Sequence, residues 1–338
     1  MKGFTSPLWP IRYRPLPDEL LSCWLVRLAH GHGLKVQTFC HLIFGSQRQI
    51  WNRDIDRLAP YWMLDELSLR TGISPSAARR TTLHDYHGYL YAHYIAAGIL
   101  DWILTQKMYH RKRQGFGLQY CPQCLSEDLI PYFRKSWRLA LNTVCIKHGN
   151  MLHDRCPSCG QTIVFHRLDM TKRGSIDDIP LAICADCGFD LRDSPIQNPI
   201  CYDQKACRFL LQLNQEIMQR GRKKPKHDLS VYLVMRHLTR MMVGKYQHLH
   251  LREFVLDQIN APDIALGTGY IAFEMRPLVE RHHLLQLTAW LMVDLETRLE
   301  MAWRARAIRY NLLLRDFSDA PDWYRQIVGK FSNWRDRC

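Results

Sequence analysis

Four short turns, each carrying two metal-ligand side chains, follow one another between residues 121 and 187. They are Cys121-Pro-Gln-Cys124, Cys145-Ile-Lys-His148, Cys156-Pro-Ser-Cys159 and Cys184-Ala-Asp-Cys187. Two residues between ligands let one tight turn aim both at a single ion. Gly149, Gly160 and Gly188 each follow a second ligand, where a closing turn takes positive φ. Pro122 and Pro157 pre-set φ inside two of the turns. Two such turns make one tetrahedral site, so four predict two. Sequential pairing puts Cys121, Cys124, Cys145 and His148 round one ion and Cys156, Cys159, Cys184 and Cys187 round the other. A cross-braced pairing, first turn with third and second with fourth, stays open. Four strong protein ligands leave no open position for water, so the expected cofactor is structural zinc, two ions per chain. His153 and His166 read as packed or exposed side chains in preference to outer-shell partners. Cys23, Cys40, Cys201, Cys207 and Cys338 read as buried or terminal thiols.

The elements that must position these turns are helical. Asp18 is placed to cap a helix through Glu19, Leu20, Leu21, Trp24, Leu25 and Leu28, whose apolar spacing is helical. Ala29, Gly33, Leu34 and Phe39 then resemble the turn of a helix-turn-helix. A second such unit spans Leu64 to Leu83, with Ser74 as cap, Pro75 in the first turn and Arg79 and Arg80 on its second helix. Two packed helices with no DNA role fit these patterns equally well. Candidate nucleic-acid contacts are Arg79, Arg80, Arg111, Lys112 and Arg113, although the basic run at 110–113 also suits a solvated linker. Downstream, 203–220, 228–243 and 250–260 predict helices. Pro277 to Phe317 predicts one long amphipathic helix or two shorter ones, with Arg298, Arg304, Arg306 and Arg309 on its cationic side. Trp323, Tyr324, Phe331 and Trp334 are expected to anchor the last helix to its core. The expected fold is mainly α with a small central zinc-bound β/loop module. It comprises helix-turn-helix-like N-terminal helices, two tandem zinc-ribbon-like sites and a helical C-terminal domain, bounded at 1–115, 116–195 and 196–338.

Composition narrows the function classes. The 338 residues include 46 basic and 32 acidic side chains, a formal net charge of +14. The excess lies in the flanks: 1–120 holds 15 basic and 8 acidic residues and 188–338 holds 23 and 17, whereas 121–187 holds 8 and 7. Two zinc ions on seven thiolates and one imidazole would bring the total to about +11 and turn the middle slightly acidic. Phosphates are therefore expected at the flanks. No apolar stretch approaches the roughly 20 residues of a membrane span, and Met1 to Pro10 lacks the apolar region of a secretory signal, so a cytoplasmic, membrane-free protein is expected. Twelve Cys in such a chain favour metal ligands or buried thiols over disulfides. There is no phosphate-cradling Gly loop, nucleophile elbow or metallohydrolase signature. Glu127-Asp128 and Asp177-Asp178 read as surface pairs. A binding protein is expected, not an enzyme.

The order of features resembles the TniQ family, which includes TnsD-type target selectors. The resemblance is carried by Pro15-Leu-Pro-Asp-Glu-Leu-Leu-Ser22, Trp24-Leu-Val-Arg-Leu-Ala29, Tyr120-Cys-Pro-Gln-Cys124, Pro131-Tyr-Phe-Arg-Lys-Ser-Trp-Arg-Leu-Ala140, Val144-Cys-Ile-Lys-His-Gly149 and Leu152-His-Asp-Arg-Cys-Pro-Ser-Cys-Gly160. It covers roughly residues 8–190, and the C-terminal third matches only loosely. The resemblance implies a non-enzymatic transposition target-selection adaptor. Such a protein links target DNA, or a Cascade-type CRISPR effector with its guide RNA, to an AAA+ transposition regulator (TnsC/TniC-like) and hence the transposase. It also implies metal ligation by the eight residues named above, and homodimers in some members. A stand-alone site-specific DNA-binding regulator is the alternative.

Overall fold

The computed structural model describes residues 7–45, 50–106, 116–170, 180–220, 226–243, 250–267 and 271–331. Its first helix, α1 (Leu21–Gly31), is buried from Leu21 to Ala29 and is a core element. Asp18 does not cap it. Asp18 adopts φ 58 and its carboxylate accepts the Ser136 backbone N–H at 3.0 Å. The start of α1 is instead served by Asp56, which accepts from the Ser22 N–H at 2.7 Å and the Ser22 hydroxyl at 2.8 Å. A carboxylate brought in by tertiary contact has displaced the local cap.

The chain turns at Gly33 (φ 65) into α2 (Val36–Phe44), which packs on α1. No side chain within α2's own neighbourhood caps it. Its Val36 N–H donates to Asp169 at 2.7 Å, and the same oxygen lies 3.2 Å from His30 Nε2 on α1. α3 (Ile55–Leu58) is capped by Asp54. α4 (Tyr61–Thr71) ends at Gly72 (φ 73), and Ser74 caps α5 (Pro75–Arg79) with Pro75 in the first turn. The second helix of this pair has only five residues. After Arg80 the expected helical character stops. Apart from a tight 3-10 turn at Leu83–Tyr86, residues 81–106 are irregular.

In the middle of the chain, α6 (Pro122–Glu127) starts from the first cysteine. The described residues contain no extended strand. The ribbons reduce to single antiparallel bridges: Tyr120 with His153, Val144 with Met151 and Ile183 with Asp190. The last two sit at the necks of the Cys145-His148 and Cys184-Cys187 turns, where one residue pair closes the loop.

The contacts cluster in two compact units, Met1–His87 with Tyr94–Asn198, and Gly88–His93 with Pro199–Cys338. The N-terminal helices and the metal-ligand turns thus share one unit. The second unit is helical: α7 (Gln204–Gln219), α8 (Leu229–Met241), α9 (Leu251–Ile259), α10 (Leu278–Val293), α11 (Leu295–Arg304), α12 (Tyr310–Leu313) and α13 (Asp322–Gly329). Asp203 and Asp228 cap α7 and α8. α10 is buried on nearly every face and packs on α7, α8, α9 and α11. The long Pro277 to Phe317 segment breaks at Asp294 (φ −146) and again after Arg304. Its expected cationic side is incomplete, because Arg298 turns inward to donate to the Trp290 carbonyl, its guanidinium 4.2 Å from the Trp290 ring. Tyr324 is buried and donates to Leu313 O at 3.2 Å, and Phe331 stacks on Trp303, so these aromatics do anchor α13. Trp334 lies outside the described residues. Cys201 and Cys207, expected as free thiols, are joined as a disulfide at the start of α7. No described helix is long and apolar enough to cross a membrane.

Candidate metal centres

The structure brings the eight residues together as two groups of four. Cys121, Cys124, Cys145 and His148 form one, Cys156, Cys159, Cys184 and Cys187 the other, and the ligand atoms of each group lie within 4.8 Å of one another. This is the sequential grouping. Gly149, Gly160 and Gly188 all take positive φ, 71, 70 and 78°, and each N–H returns to the carbonyl of the turn's first ligand at 2.7 to 2.9 Å.

The dimensions suit a tetrahedral metal. With zinc–sulfur bonds of about 2.3 Å, the edge of a tetrahedron is about 3.8 Å, and a sulfur–nitrogen edge is about 3.5 Å. The observed sulfur pairs are 3.6 Å (Cys124 with Cys145), 3.6 Å (Cys156 with Cys187) and 3.7 Å (Cys159 with Cys184). His148 Nδ1 lies 3.4, 3.4 and 3.5 Å from Cys121, Cys124 and Cys145. Disulfide sulfurs would be about 2.05 Å apart. Both groups therefore fit a metal ion.

The surroundings differ. In the first cluster all three cysteines are buried. The thiols share hydrogen bonds so that Cys145 is pulled far down by those from Cys121 and Cys124, while Cys124 is pushed up by its bonds to the other two. With Nδ1 on the sulfurs, His148 Nε2 is left to donate to Glu127 at 3.0 Å, and Lys147 pairs with the same carboxylate. Such a carboxylate fixes the ring's tautomer and orientation. In the second cluster Cys156 and Cys184 are buried, Cys159 is half-buried and Cys187 is exposed. The Phe189 backbone N–H pulls Cys187 down to about 7, against burial.

The stretch between the first two metal turns ties the first cluster to the helices. Arg134 makes two bonds to Asp128, at 2.7 and 3.1 Å, and lies over Tyr132 and Trp137 at 4.3 and 4.7 Å. Lys135 pairs with Asp85 at 2.6 Å and donates to the Arg80 carbonyl beyond α5. Arg138 is fully buried and reaches Asp54 at 2.5 Å, Asp56 at 3.2 Å and Leu104 O at 3.0 Å. It thus stabilises the two carboxylates that cap α3 and α1. Burial pushes Asp56 up to about 6, and Arg138 opposes that rise.

Residues 10–152 match the TniQ family model. No curated protein matches the chain. The TniQ stretch holds the whole first cluster and the Arg134–Arg138 clamp, and it ends before Cys156.

Two carboxylates depart from the sequence reading. Glu127 and Asp128 are not a bare surface pair: one holds His148, the other Arg134. Only their position just after a ligand helix hinted at this. His153 stacks on Tyr120 and pairs with Pro195 O at 2.9 Å, and His166 stacks on Trp51 at 4.6 Å, so both are packed side chains, as expected. Burial lowers His166 to about 4. Cys23 and Cys40 are buried free thiols. Arg79 ends α5, 5.8 Å from the Tyr61 ring, and Arg80 follows it; both side chains are exposed. Arg111, Lys112, Arg113, Asp177, Asp178 and Cys338 lie outside the described residues.

Proposed function

We propose that the chain is a non-enzymatic adaptor in transposition target selection. It links target DNA, or an RNA-guided CRISPR effector complex, to an AAA+ regulator that brings the transposase. The TniQ match over residues 10–152 carries this reading. It is supported by ligand sets that leave no position for a reacting water. Cys121, Cys124, Cys145 and His148 would hold one zinc ion, and Cys156, Cys159, Cys184 and Cys187 the other. Bound zinc would supply cross-linking and no bond chemistry. The protein's own part is positional: Glu127 orients His148, and Arg134 and Arg138 hold the N-terminal helices against the first cluster.

Affinity purification of the tagged full chain, co-expressed with an AAA+ transposition regulator and a Cascade-type CRISPR effector, tests the proposal. The expected outcome is a stable complex containing the AAA+ regulator. Absence of regulator, effector and DNA alike would overturn it. Tight, sequence-selective DNA binding by the pure chain with no regulator recruited would replace it with a stand-alone DNA-binding regulator.

A further inference from the structure

The second unit carries a cationic bend that none of its internal contacts explains. α11 ends at Arg304 and α12 begins at Tyr310. Between them the backbone reverses at Arg306, with φ 58. The Arg306 N–H returns to Trp303 O at 3.0 Å and the Ala307 N–H to Ala302 O at 2.9 Å. This is the left-handed helix end that glycine adopts at least cost. A side chain with a Cβ is strained there, and local strain of this kind persists where something else requires the side chain.

The bend also sorts its residues. Trp303, Ala307, Ile308, Leu312 and Leu313 are buried. Arg304, Arg306, Arg309, Tyr310 and Asn311 are exposed. Three other arginines of this unit are held internally: Arg236 by Glu274 at 2.7 Å, Arg276 by Glu280 at 2.5 Å and Arg325 by the Ala320 carbonyl at 2.8 Å. Arg304 pairs with Glu300 at 2.5 Å. Among the described residues, Arg306 and Arg309 have no carboxylate partner.

We propose that the Arg306–Arg309 bend contacts the phosphate backbone of double-stranded DNA. The inference rests on the reading that this chain meets target DNA, and it assigns that contact to the second unit. Guanidinium forks match phosphate oxygens in geometry and charge, and such contacts hold a duplex without reading its sequence. Single-stranded RNA would call for several stacking faces. Tyr310 is the one exposed aromatic in the bend, 39% accessible.

The test uses the full chain and a short mixed-sequence DNA duplex, with affinity measured by fluorescence anisotropy across a salt series. Arg306→Gly combined with Arg309→Ala is expected to weaken binding at least tenfold at low salt. It should also shallow the slope of log affinity against log salt by about 1.8, about 0.9 for each phosphate that is no longer neutralised. Arg306→Gly alone is expected to raise the melting temperature while weakening binding, a split that a purely structural arginine would not produce. An unchanged salt slope in the double variant overturns the proposal, as does a loss confined to a single-stranded RNA of the same length. A wild-type chain that binds no duplex also overturns it. The adaptor reading is judged separately, by recruitment of the AAA+ regulator.

Discussion

The two candidate metal clusters are built from near-identical turns yet sit in different surroundings. The first has three buried cysteines, a histidine steered by Glu127 and a neighbouring arginine clamp. The second is all cysteine, with Cys159 half-buried and Cys187 open to solvent. The TniQ match includes the first and stops short of the second. Turn chemistry alone therefore does not set the role of a cluster. The first is buried beside the Arg134–Arg138 clamp, and the second is partly open to solvent.

The largest expected effect tests that contrast directly. Cys124→Ser removes a buried ligand and forfeits metal-linked folding energy on the order of 10 kcal/mol, comparable with the whole stability of a typical domain. It is expected to abolish the cooperative thermal transition of the first unit and halve the zinc content. Cys187→Ser, at an exposed ligand, is expected to keep a cooperative melt by circular dichroism. Equal damage from both would erase the distinction.

Next comes the clamp. Arg138→Met leaves Asp54 and Asp56 without their buried cation, a loss of about 3–5 kcal/mol. Urea unfolding should show it as a lowered midpoint with unchanged zinc content, which separates helix docking from metal binding. A variant as stable as the parent would remove the clamp from the account of the first cluster.

A smaller change probes the histidine's partner. Glu127→Gln is expected to lower metal affinity at the first cluster 10- to 100-fold while leaving the second unaltered. Competition with a chromophoric chelator would show the first cluster's release moving toward the second's. Unchanged release would show that Glu127 serves only Lys147.

The smallest effect near neutral pH concerns His166, in the segment joining the second cluster's two turns. Its folded pKa, about 4, lies below the ordinary value of about 6.5 because burial excludes the charged ring. Its contribution to stability is therefore fully present above about pH 6.5 and is lost as pH falls toward 4, by up to about 1.4 kcal/mol per pH unit. His166→Phe keeps an aromatic face on Trp51 and should flatten that slope in urea midpoints measured against pH. His237, similarly lowered to about 4 in the second unit, stays as the internal reference. An unaltered slope would show the second cluster's segment to be more open than its packing indicates.

The ligand groups were legible because two-residue spacing is a local property of the chain. So were the Ser74 cap with Pro75, and α7 to α9, whose periodicity and capping aspartates are also local. What escaped was set at a distance. Asp18 had the right position for a cap, yet its left-handed backbone and bond to Ser136 took it away, and Asp56 replaced it from 34 residues downstream of Ser22. Arg138 read only as part of a family-like stretch, since its value depends on two aspartates more than 80 residues earlier. The five residues between Cys201 and Cys207 argued against a metal turn but did not reveal that they pair, because the start of α7 brings their Cα atoms to 6.3 Å.

Asp169 has a consequence for how the molecule is made. It supplies the only side-chain acceptor seen at the start of α2 among the described residues, 133 positions after Val36. As the chain leaves the ribosome, α1 and α2 emerge long before that carboxylate is synthesised. The N-terminal pair must therefore wait in an unfinished state through translation of the first cluster and half of the second, and nascent-chain lengths ending before residue 169 should remain open to proteases at the Gly33 turn.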